Sequence, residues 1–359
     1  MRPVNAVVAA EKSWLSDVKK FRPRSMDRVQ DLSMQDFYVF PDFEFPNNLD
    51  KDPMRIISEA ETSTRSLIVA QTGMGKSMFM RMSSLCFCRK LLDYNLQIEQ
   101  LSAETRLPSD MHVIYFPAYM FSYCYQTPEY KSWTGNLIEL YFNCMFRLSM
   151  TINFDKHEKR RIRVDSECAK YKSDSALDSI DEYISALARK GRLILIADSF
   201  DEIVSGDMRM AYLNALVKFR KQYCNFPEAV GAHILLTSRE MSPSTMKSLT
   251  SALESDCVYK IKALSPDKQK ELIMNWDQAF QGEGIHNNIK QLENHFFVVN
   301  SDRLILMRLL SLPSLSLTEA EKKGVLQSNA YKVCSGFLSE YQIGLLQTSI
   351  SPENNVIIP

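Results

Sequence analysis

Residues 66–77, SLIVAQTGMGKS, are the stretch of sequence that decides the fold. Ser66–Ala70 is a short apolar run typical of a buried strand, and an apolar helical pattern extends from about Ser77 to Tyr94. Between them, glycines let the backbone curl so that successive N–H groups point inward at an anion. The following helix presents its positive end to the same anion. A strand, a glycine-rich turn and a helix in this order predict a phosphate-binding P-loop.

In such a loop the lysine spans the β- and γ-phosphates of a nucleoside triphosphate, and the next hydroxyl ligates Mg²⁺. Lys76 and Ser77 occupy these two positions, so a nucleoside triphosphate with Mg²⁺ is the expected cofactor pair. The residues expected to bind the nucleotide are Gln71, Thr72, Gly73, Met74, Gly75, Lys76 and Ser77. The alternative is an ordinary glycine-rich turn with an exposed lysine. Ala70 stands where the usual pattern opens with glycine. Another small residue is tolerated at this position if its backbone angles are ordinary.

A second group of candidate residues follows the apolar strand in residues 193–202, LILIADSFDE. Asp198 delivers a carboxylate to the edge of the predicted sheet, where α/β proteins bind ligands, and is expected to hold Mg²⁺ together with Ser77. Asp201 and Glu202 follow closely enough to face the γ-phosphate, where one of them would orient or deprotonate the attacking water. The alternative is that acids after a strand cap a helix.

A third group ends the strand in residues 233–239, HILLTSR. Arg239 is a candidate to sense the γ-phosphate or to stabilise charge during transfer, and Thr237 could hydrogen-bond the attacking water. The alternative is that Arg239 pairs structurally with an acid such as Asp198 or Asp201. The two interpretations do not exclude each other.

The rest of the chain repeats the strand–helix alternation. The predicted strands are Ser66–Ala70, His112–Pro117, Leu193–Ala197, His233–Leu236 and Cys257–Ile261. The predicted helices between them include Trp133–Thr151, Ala176–Lys190, Met208–Tyr223 and Pro243–Leu253. This pattern predicts an α/β fold of the P-loop NTPase type, with a parallel five-stranded sheet flanked by helices and followed by a small helical subdomain.

A P-loop, then a strand ending in D-x-x-D-E, then a strand ending in T-S-R, resembles the NACHT family within the STAND class of signalling ATPases. Phe37–Pro41 looks like the short stretch that often precedes these domains, and Tyr259–Ile261 leading into Leu264-Ser265-Pro266 looks like the entry to the family's first helical subdomain. The resemblance covers roughly residues 37–312. Ser199 stands where the family usually has glycine, and Asn300–Leu306 lacks the proline of the family's helical motif.

The resemblance implies a molecular switch that is inert with ADP, self-associates with ATP and hydrolyses slowly, and bacterial members are often linked to defence against phage. It implies an N-terminal helix or linker over 1–36, a NACHT-like domain over 37–262, a helical subdomain over 263–312, and a C-terminal segment over 313–359, possibly an incomplete winged-helix region. A separate effector or sensor protein is a further possible partner. The alternatives are a power-stroke ring of the AAA+ kind and a nucleotide-bound scaffold without hydrolysis.

Composition and cysteine spacing limit the classes of ligand, cysteine chemistry and cellular location that the sequence allows. The 359 residues contain 43 basic and 43 acidic side chains, which argues against nucleic acid as the main ligand. Eight widely spaced cysteines without CxxC pairs predict buried thiols rather than zinc ligands or disulfides. The amino terminus is a poor signal peptide and no long apolar run suggests a membrane span, so a cytoplasmic protein is expected.

Overall fold

A computed structural model describes residues 3–18, 20–21, 32–34, 38–44, 53–71, 74–88, 111–132, 135–148, 150–152, 162–164, 171, 174–255, 257–265, 267–268, 271–272, 275, 350–351 and 356–357. The strands are β1 (Lys20–Phe21), β2 (Leu32–Ser33), β3 (Phe43–Glu44), β4 (Arg65–Val69), β5 (His112–Tyr115), β6 (Met150–Ile152), β7 (Ile162–Val164), β8 (Leu193–Ala197), β9 (His233–Ser238), β10 (Cys257–Ile261), β11 (Ile350–Ser351) and β12 (Val356–Ile357). The helices are α1 (Pro3–Val18), α2 (Pro53–Ser58), α3 (Lys76–Phe87), α4 (Ala118–Gln126), α5 (Leu137–Phe142), α6 (Asp174–Arg189), α7 (Gly206–Tyr223) and α8 (Pro243–Leu253).

The chain divides into two compact units. The first contains Met1–Lys20 and Phe43–Lys262, and the second contains Phe21–Asp42 and Ala263–Pro359. Within the second unit, Lys268 Nζ lies 2.6 Å from Asp42 Oδ1, and β11 pairs antiparallel with β12. The predicted boundaries at residues 36, 262 and 312 stay predictions. The helices expected between residues 266 and 311 fall mostly outside the described residues.

The central sheet of the first unit has six strands among the described residues, in the order β3-β10-β4-β9-β8-β5. Five of them, β10, β4, β9, β8 and β5, are parallel. The expectation of a purely parallel five-stranded sheet is therefore wrong at one edge, where β3 pairs antiparallel with β10 through Phe43 and Glu44. A two-residue strand is too short to show a period in the sequence, and its pairing depends on β10, more than 200 residues later.

The middle strands carry apolar residues because helices cover both faces of a parallel sheet. All five residues of β8 are buried, as the uninterrupted run LILIA predicts. Side-chain caps fix where several helices begin. The Asn136 side chain accepts hydrogen bonds from the Ile138 and Glu139 amides at the start of α5, and Ser242 precedes Pro243 at the start of α8.

One predicted helix is shorter than expected. Trp133–Thr151 was expected to be helical throughout, but α5 ends at Phe142 and continues as a single π-helical turn, Asn143–Arg147. Met150 and Thr151 belong to β6, which pairs antiparallel with β7. The wider π-helical turn breaks the helical period, and the ladder to β7 then supplies the backbone hydrogen bonds that a helix would have made.

Helix α1 is part of the sheet-bearing unit. Its inward side chains are buried: Ala6, Val7, Ala10, Trp14 and Leu15. Glu11 is also fully buried and accepts a hydrogen bond from the Val113 backbone N–H at 2.7 Å, on the edge strand β5. His112 Nδ1 lies 3.0 Å from the other Glu11 oxygen. The helix thereby satisfies a backbone donor of β5, which is the last strand at this side of the sheet among the described residues.

The cysteines depart from the prediction at one place. Cys124 on α4 and Cys144 in the π-helical turn form a disulfide, with their Cα atoms 6.4 Å apart, whereas the sequence predicted thiols throughout. The pairing joins positions 20 residues apart that no cysteine motif marks. Cys88 and Cys224 are buried thiols. Within the described part of the chain, no helix is both long and apolar enough to cross a membrane.

Candidate functional site

The predicted P-loop joins β4 to α3 at the carboxyl edge of the sheet. Gly75 has a φ of 83° and caps α3 at its amino end, a left-handed conformation that favours glycine. Ala70 is not among the residues with positive φ, so the departure from glycine there involves no left-handed backbone. Its N–H donates to the Ser238 carbonyl on β9, which fixes the start of the loop against the neighbouring strand. Thr72 and Gly73 lie outside the described residues.

The Lys76 side chain folds back over this loop. Its Nζ donates to the carbonyl oxygens of Ala70 at 2.9 Å and of Gln71 at 3.2 Å, and the residue is 8% exposed. The alternative of an exposed lysine on a glycine-rich turn is therefore wrong. The Lys76 ammonium is thus a compact positive charge held at the start of the loop by two backbone carbonyls.

The electrostatic surroundings of Lys76 bring the three predicted groups together. Burial lowers the pKa of Lys76, and the carboxylate of Asp201 raises it in opposition. Arg239 lowers the same pKa, whereas Asp198 and Glu202 raise it. Since each of these charges acts on the Lys76 ammonium, the ends of β4, β8 and β9 form one electrostatic cluster, as the sequence predicts.

Asp198 follows β8 and is held by three hydroxyl groups. Thr237 donates to its Oδ1 at 2.7 Å and Ser199 donates to the same oxygen at 3.1 Å. The Tyr115 hydroxyl donates to Oδ2 at 2.9 Å. The carboxylate is 5% exposed, yet both of its oxygens accept hydrogen bonds, which offset the cost of burying a charge. The side chains that cap helices in the described part of the chain are those of Asn136, Ser205 and Ser242, so the Asp198 carboxylate is not one of these caps.

Ser199 links this carboxylate to the P-loop helix. Its Oγ lies 3.3 Å from Ser77 Oγ, so the first turn of α3 and the end of β8 meet through two hydroxyls. Ser199 has a φ of 64°, a left-handed conformation in which glycine is favoured. Glycine would adopt this backbone geometry without strain. The Ser199 N–H donates to Thr237 Oγ1 at 2.7 Å, which holds the turn in place.

Arg239 and Asp201 form an ion pair. Arg239 Nε lies 2.8 Å from Asp201 Oδ2, and the Arg239 backbone N–H donates to Oδ1 at 2.9 Å. The structural pairing that the sequence left open for Arg239 is therefore present, while half of the side chain is exposed. Both oxygens of Asp201 are therefore engaged by Arg239, and Glu202 lies next to Asp201 on the same 3₁₀ turn. Thr237 donates to Asp198 rather than facing outward.

The oxygen donors at this edge suit a small hard cation. Mg²⁺ is commonly bound by one or two protein oxygens together with phosphate oxygens and water, not by a complete protein cage. The Ser77 hydroxyl and the Asp198 carboxylate are such oxygens and are connected through Ser199. No group of three or more His, Cys, Asp or Glu side chains that could hold a metal by itself occurs in the part of the chain that the structure describes. The residues present fit a metal that is held jointly with a nucleotide.

One residue of the site was not predicted to belong to it. Tyr115 ends β5 and is buried. Its hydroxyl nevertheless reaches Asp198, and burial followed by the Asp198 charge raises the Tyr115 pKa well above its usual range. A tyrosine at the end of an apolar strand needs a polar partner for its hydroxyl, which is the sequence signal that could have been used.

Comparison with known proteins gives weak likenesses of fold. No protein-family model matches the chain, and no curated protein matches it. Among solved structures, domain III of the Thermotoga maritima replication initiation protein DnaA is similar at 10% identity and a TM-score of 0.38, covering 80% of this chain and 89% of that one.

Two further structures are similar at the same level. The ADP form of the Aeropyrum pernix ORC2 protein has 12% identity and a TM-score of 0.38, with 78% of this chain and 64% of that one covered. The FIGL-1 AAA domain has 9% identity and a TM-score of 0.36, with 83% and 80% covered. Likenesses this low do not assign a function, which has to come from the site itself.

Proposed function

We propose that this chain is a cytoplasmic ATP-binding switch of the NACHT type, in which bound nucleotide sets the association state and slow hydrolysis resets it. The observation that carries the proposal is the meeting of Lys76, Ser77 and Asp198 at one edge of a parallel sheet, behind a glycine-capped strand–helix turn. The three motifs lie on adjacent strands in the order β4-β9-β8. Ligands of open α/β sheets bind at this edge.

The residues divide the chemistry between them. The loop amides and Lys76 would bind the phosphates, and Ser77 and Asp198 would hold Mg²⁺, which would supply positive charge to neutralise the phosphates. Lys76 exchanges its two carbonyl partners for phosphate oxygens, a gain because a charge-assisted bond to an anion is stronger than one to a neutral carbonyl.

Glu202 orients the attacking water and accepts its proton. Asp201 serves the reaction indirectly, because its ion pair holds Arg239 at the mouth of the site. We expect the half-exposed Arg239 side chain to sense a bound γ-phosphate, so that its partition between Asp201 and phosphate differs between ATP and ADP.

The switch follows from the resemblance to NACHT proteins. The ADP-bound chain is inert and the ATP-bound chain associates with copies of itself, with a separate effector or sensor protein as a further partner and antiphage defence as the biological setting. Ser199 supports this assignment, since its left-handed backbone suits the glycine that the family carries there.

The test is the nucleotide content of the purified protein together with its mass in solution, for the parent, Lys76→Ala and Lys247→Ala. Lys247 is an exposed lysine on α8 and serves as the matched control. The parent and the control are expected to be monomers that carry ADP, and their mass in solution should increase when Mg-ATP is added. Lys76→Ala should carry no nucleotide, and its mass should not change with Mg-ATP. A parent that stays empty and does not change in mass with Mg-ATP would contradict the proposal.

A further inference from the structure

Asp198 accepts hydrogen bonds on both carboxylate oxygens, and the donors to the two oxygens come from different parts of the chain. Thr237 and Ser199, which donate to Oδ1, belong to the strand-end motifs that the sequence already singled out. The donor to Oδ2 is Tyr115, which belongs to none of those motifs. A carboxylate held through one oxygen can still rotate about its terminal bond, whereas one held through both is restrained.

Tyr115 is well placed to provide this restraint. Its position in β5 pairs with Ile196 of β8, two residues before Asp198, so the two side chains leave neighbouring strands at the same edge. Tyr115 is buried, and its hydroxyl lies 2.9 Å from Asp198 Oδ2. The ring is fixed from its other side by Trp14 of α1, with the two ring centroids 5.5 Å apart.

We propose that Tyr115 is a positioning residue for the proposed metal site: its hydroxyl holds the Asp198 carboxylate in the orientation that binds Mg²⁺ with the nucleotide. The inference rests on the proposed function, because it takes Asp198 as the carboxylate of that site. Partners that orient a metal-binding carboxylate typically change metal affinity by 10–100-fold when removed. Because Thr237 and Ser199 still donate to Oδ1, we expect the loss of the Tyr115 hydroxyl to lower Mg²⁺ affinity by about tenfold, the lower end of this range.

Tyr212 provides a matched control for the hydroxyl. It is also fully buried, and the Asp198 charge contributes to raising its pKa, so it lies in the same electrostatic neighbourhood. Its ring packs against Phe121 and Phe200, and among the described residues Tyr115, Thr237 and Ser199 are the side chains that donate to Asp198. Tyr212→Phe therefore removes a nearby buried hydroxyl without removing a hydrogen bond to the carboxylate.

The experiment measures the affinity of a fluorescent ATP analogue by anisotropy, first in EDTA and then against rising Mg²⁺, for the parent, Tyr115→Phe and Tyr212→Phe. Tyr115→Phe is expected to raise the half-saturating Mg²⁺ concentration about tenfold while leaving affinity in EDTA unchanged. Tyr212→Phe is expected to leave both unchanged. If Tyr115→Phe does not fold, Tyr115→Met replaces it, since a flexible side chain without a hydroxyl fills the same space.

Each other outcome overturns the inference in a recognisable way. An unchanged Mg²⁺ dependence in Tyr115→Phe, with the parent binding normally, refutes the positioning role and leaves the proposed function standing. An equal shift in Tyr212→Phe, or a loss of affinity in EDTA, makes the effect one of packing. A parent that binds no analogue, or binds it without any Mg²⁺ dependence, removes the proposed metal site and the inference with it.

Discussion

Glu11 connects the N-terminal helix to the edge of the sheet, and replacing it is expected to destabilise the whole sheet-bearing unit. Its carboxylate is fully buried and accepts hydrogen bonds from the Val113 N–H at 2.7 Å and the His112 ring at 3.0 Å. Burial raises the Glu11 pKa, and the His112 partner acts against that rise. The residue is therefore a buried polar group that is costly in itself and compensated by its partners.

The magnitude depends on which partner loses its bond. Glu11→Gln keeps an oxygen for the Val113 N–H and should cost about 1 kcal/mol. Glu11→Leu fills the space but leaves that buried N–H unsatisfied, at about 1–3 kcal/mol; removing a buried carboxylate offsets part of this. Glu11→Ala adds the loss of buried side-chain atoms at about 0.8 kcal/mol per methylene and so should reach about 3–4 kcal/mol.

Thermal unfolding followed by circular dichroism distinguishes these cases. In a domain of this size, each kcal/mol shifts Tm by about 2–4 °C, so Glu11→Ala should lower Tm by roughly 6–16 °C and Glu11→Gln by about 2–4 °C. Lys12→Ala, an exposed change on the same helix, is the control and should leave Tm nearly unchanged. A Glu11→Ala protein with the Tm of the control would refute the claim that this carboxylate holds α1 on the sheet.

Three further predictions concern pH, hydrolysis and a helix end. Burial lowers the His233 pKa from 6.5 to about 4, so between these pH values the unfolded chain binds a proton that the folded chain does not. The free energy of unfolding should therefore be constant above pH 6.5 and fall by about 3 kcal/mol as the pH falls towards 4. In His233→Gln, the Tm should change less with pH across this range. Glu202→Gln should lower ATP hydrolysis about 10²–10⁴-fold in a phosphate-release assay while Mg-ATP binding persists, whereas Asp201→Asn, whose oxygens both serve Arg239, should lower it less than tenfold. Arg220 is buried and donates to the Ser251 and Ala252 carbonyls at the end of α8. Arg220→Met should therefore lower the free energy of unfolding by about 2–4 kcal/mol in denaturant titrations. An unchanged denaturation midpoint would contradict this prediction.

Local patterns in the sequence predicted the centre of the sheet well. The runs at 66–70 and 193–197 are mostly apolar because helices cover both faces of those strands, and the alternation of strands and helices along the chain leads to a parallel sheet. The strand β3 and the β6–β7 pair were not predicted. They are two or three residues long and owe their pairing to partners elsewhere in the chain, so no local period marks them.

In the site too, local motifs were predicted and contacts between distant residues were not. Lys76, Ser77 and Asp198 stand in patterns whose spacing itself reflects the geometry of an anion site, so their meeting was predicted. The contact of Tyr115 with Asp198 and that of Glu11 with Val113 join residues 83 and 102 positions apart. Neither pair forms a motif, because each depends on strand order and on how α1 packs, which single-sequence patterns do not encode.

The most direct test of the central claim is calorimetric titration of the protein with Mg-ATP after bound nucleotide has been removed, comparing the parent with Lys76→Ala. The proposed site predicts one-to-one binding by the parent and a loss of about a hundredfold or more in the variant, because two charge-assisted bonds to phosphate disappear at about 1.5 kcal/mol or more each. Lys247→Ala should bind like the parent. Equal affinity in the parent and Lys76→Ala, or no binding by the parent, would contradict the assignment of a nucleotide site to this loop.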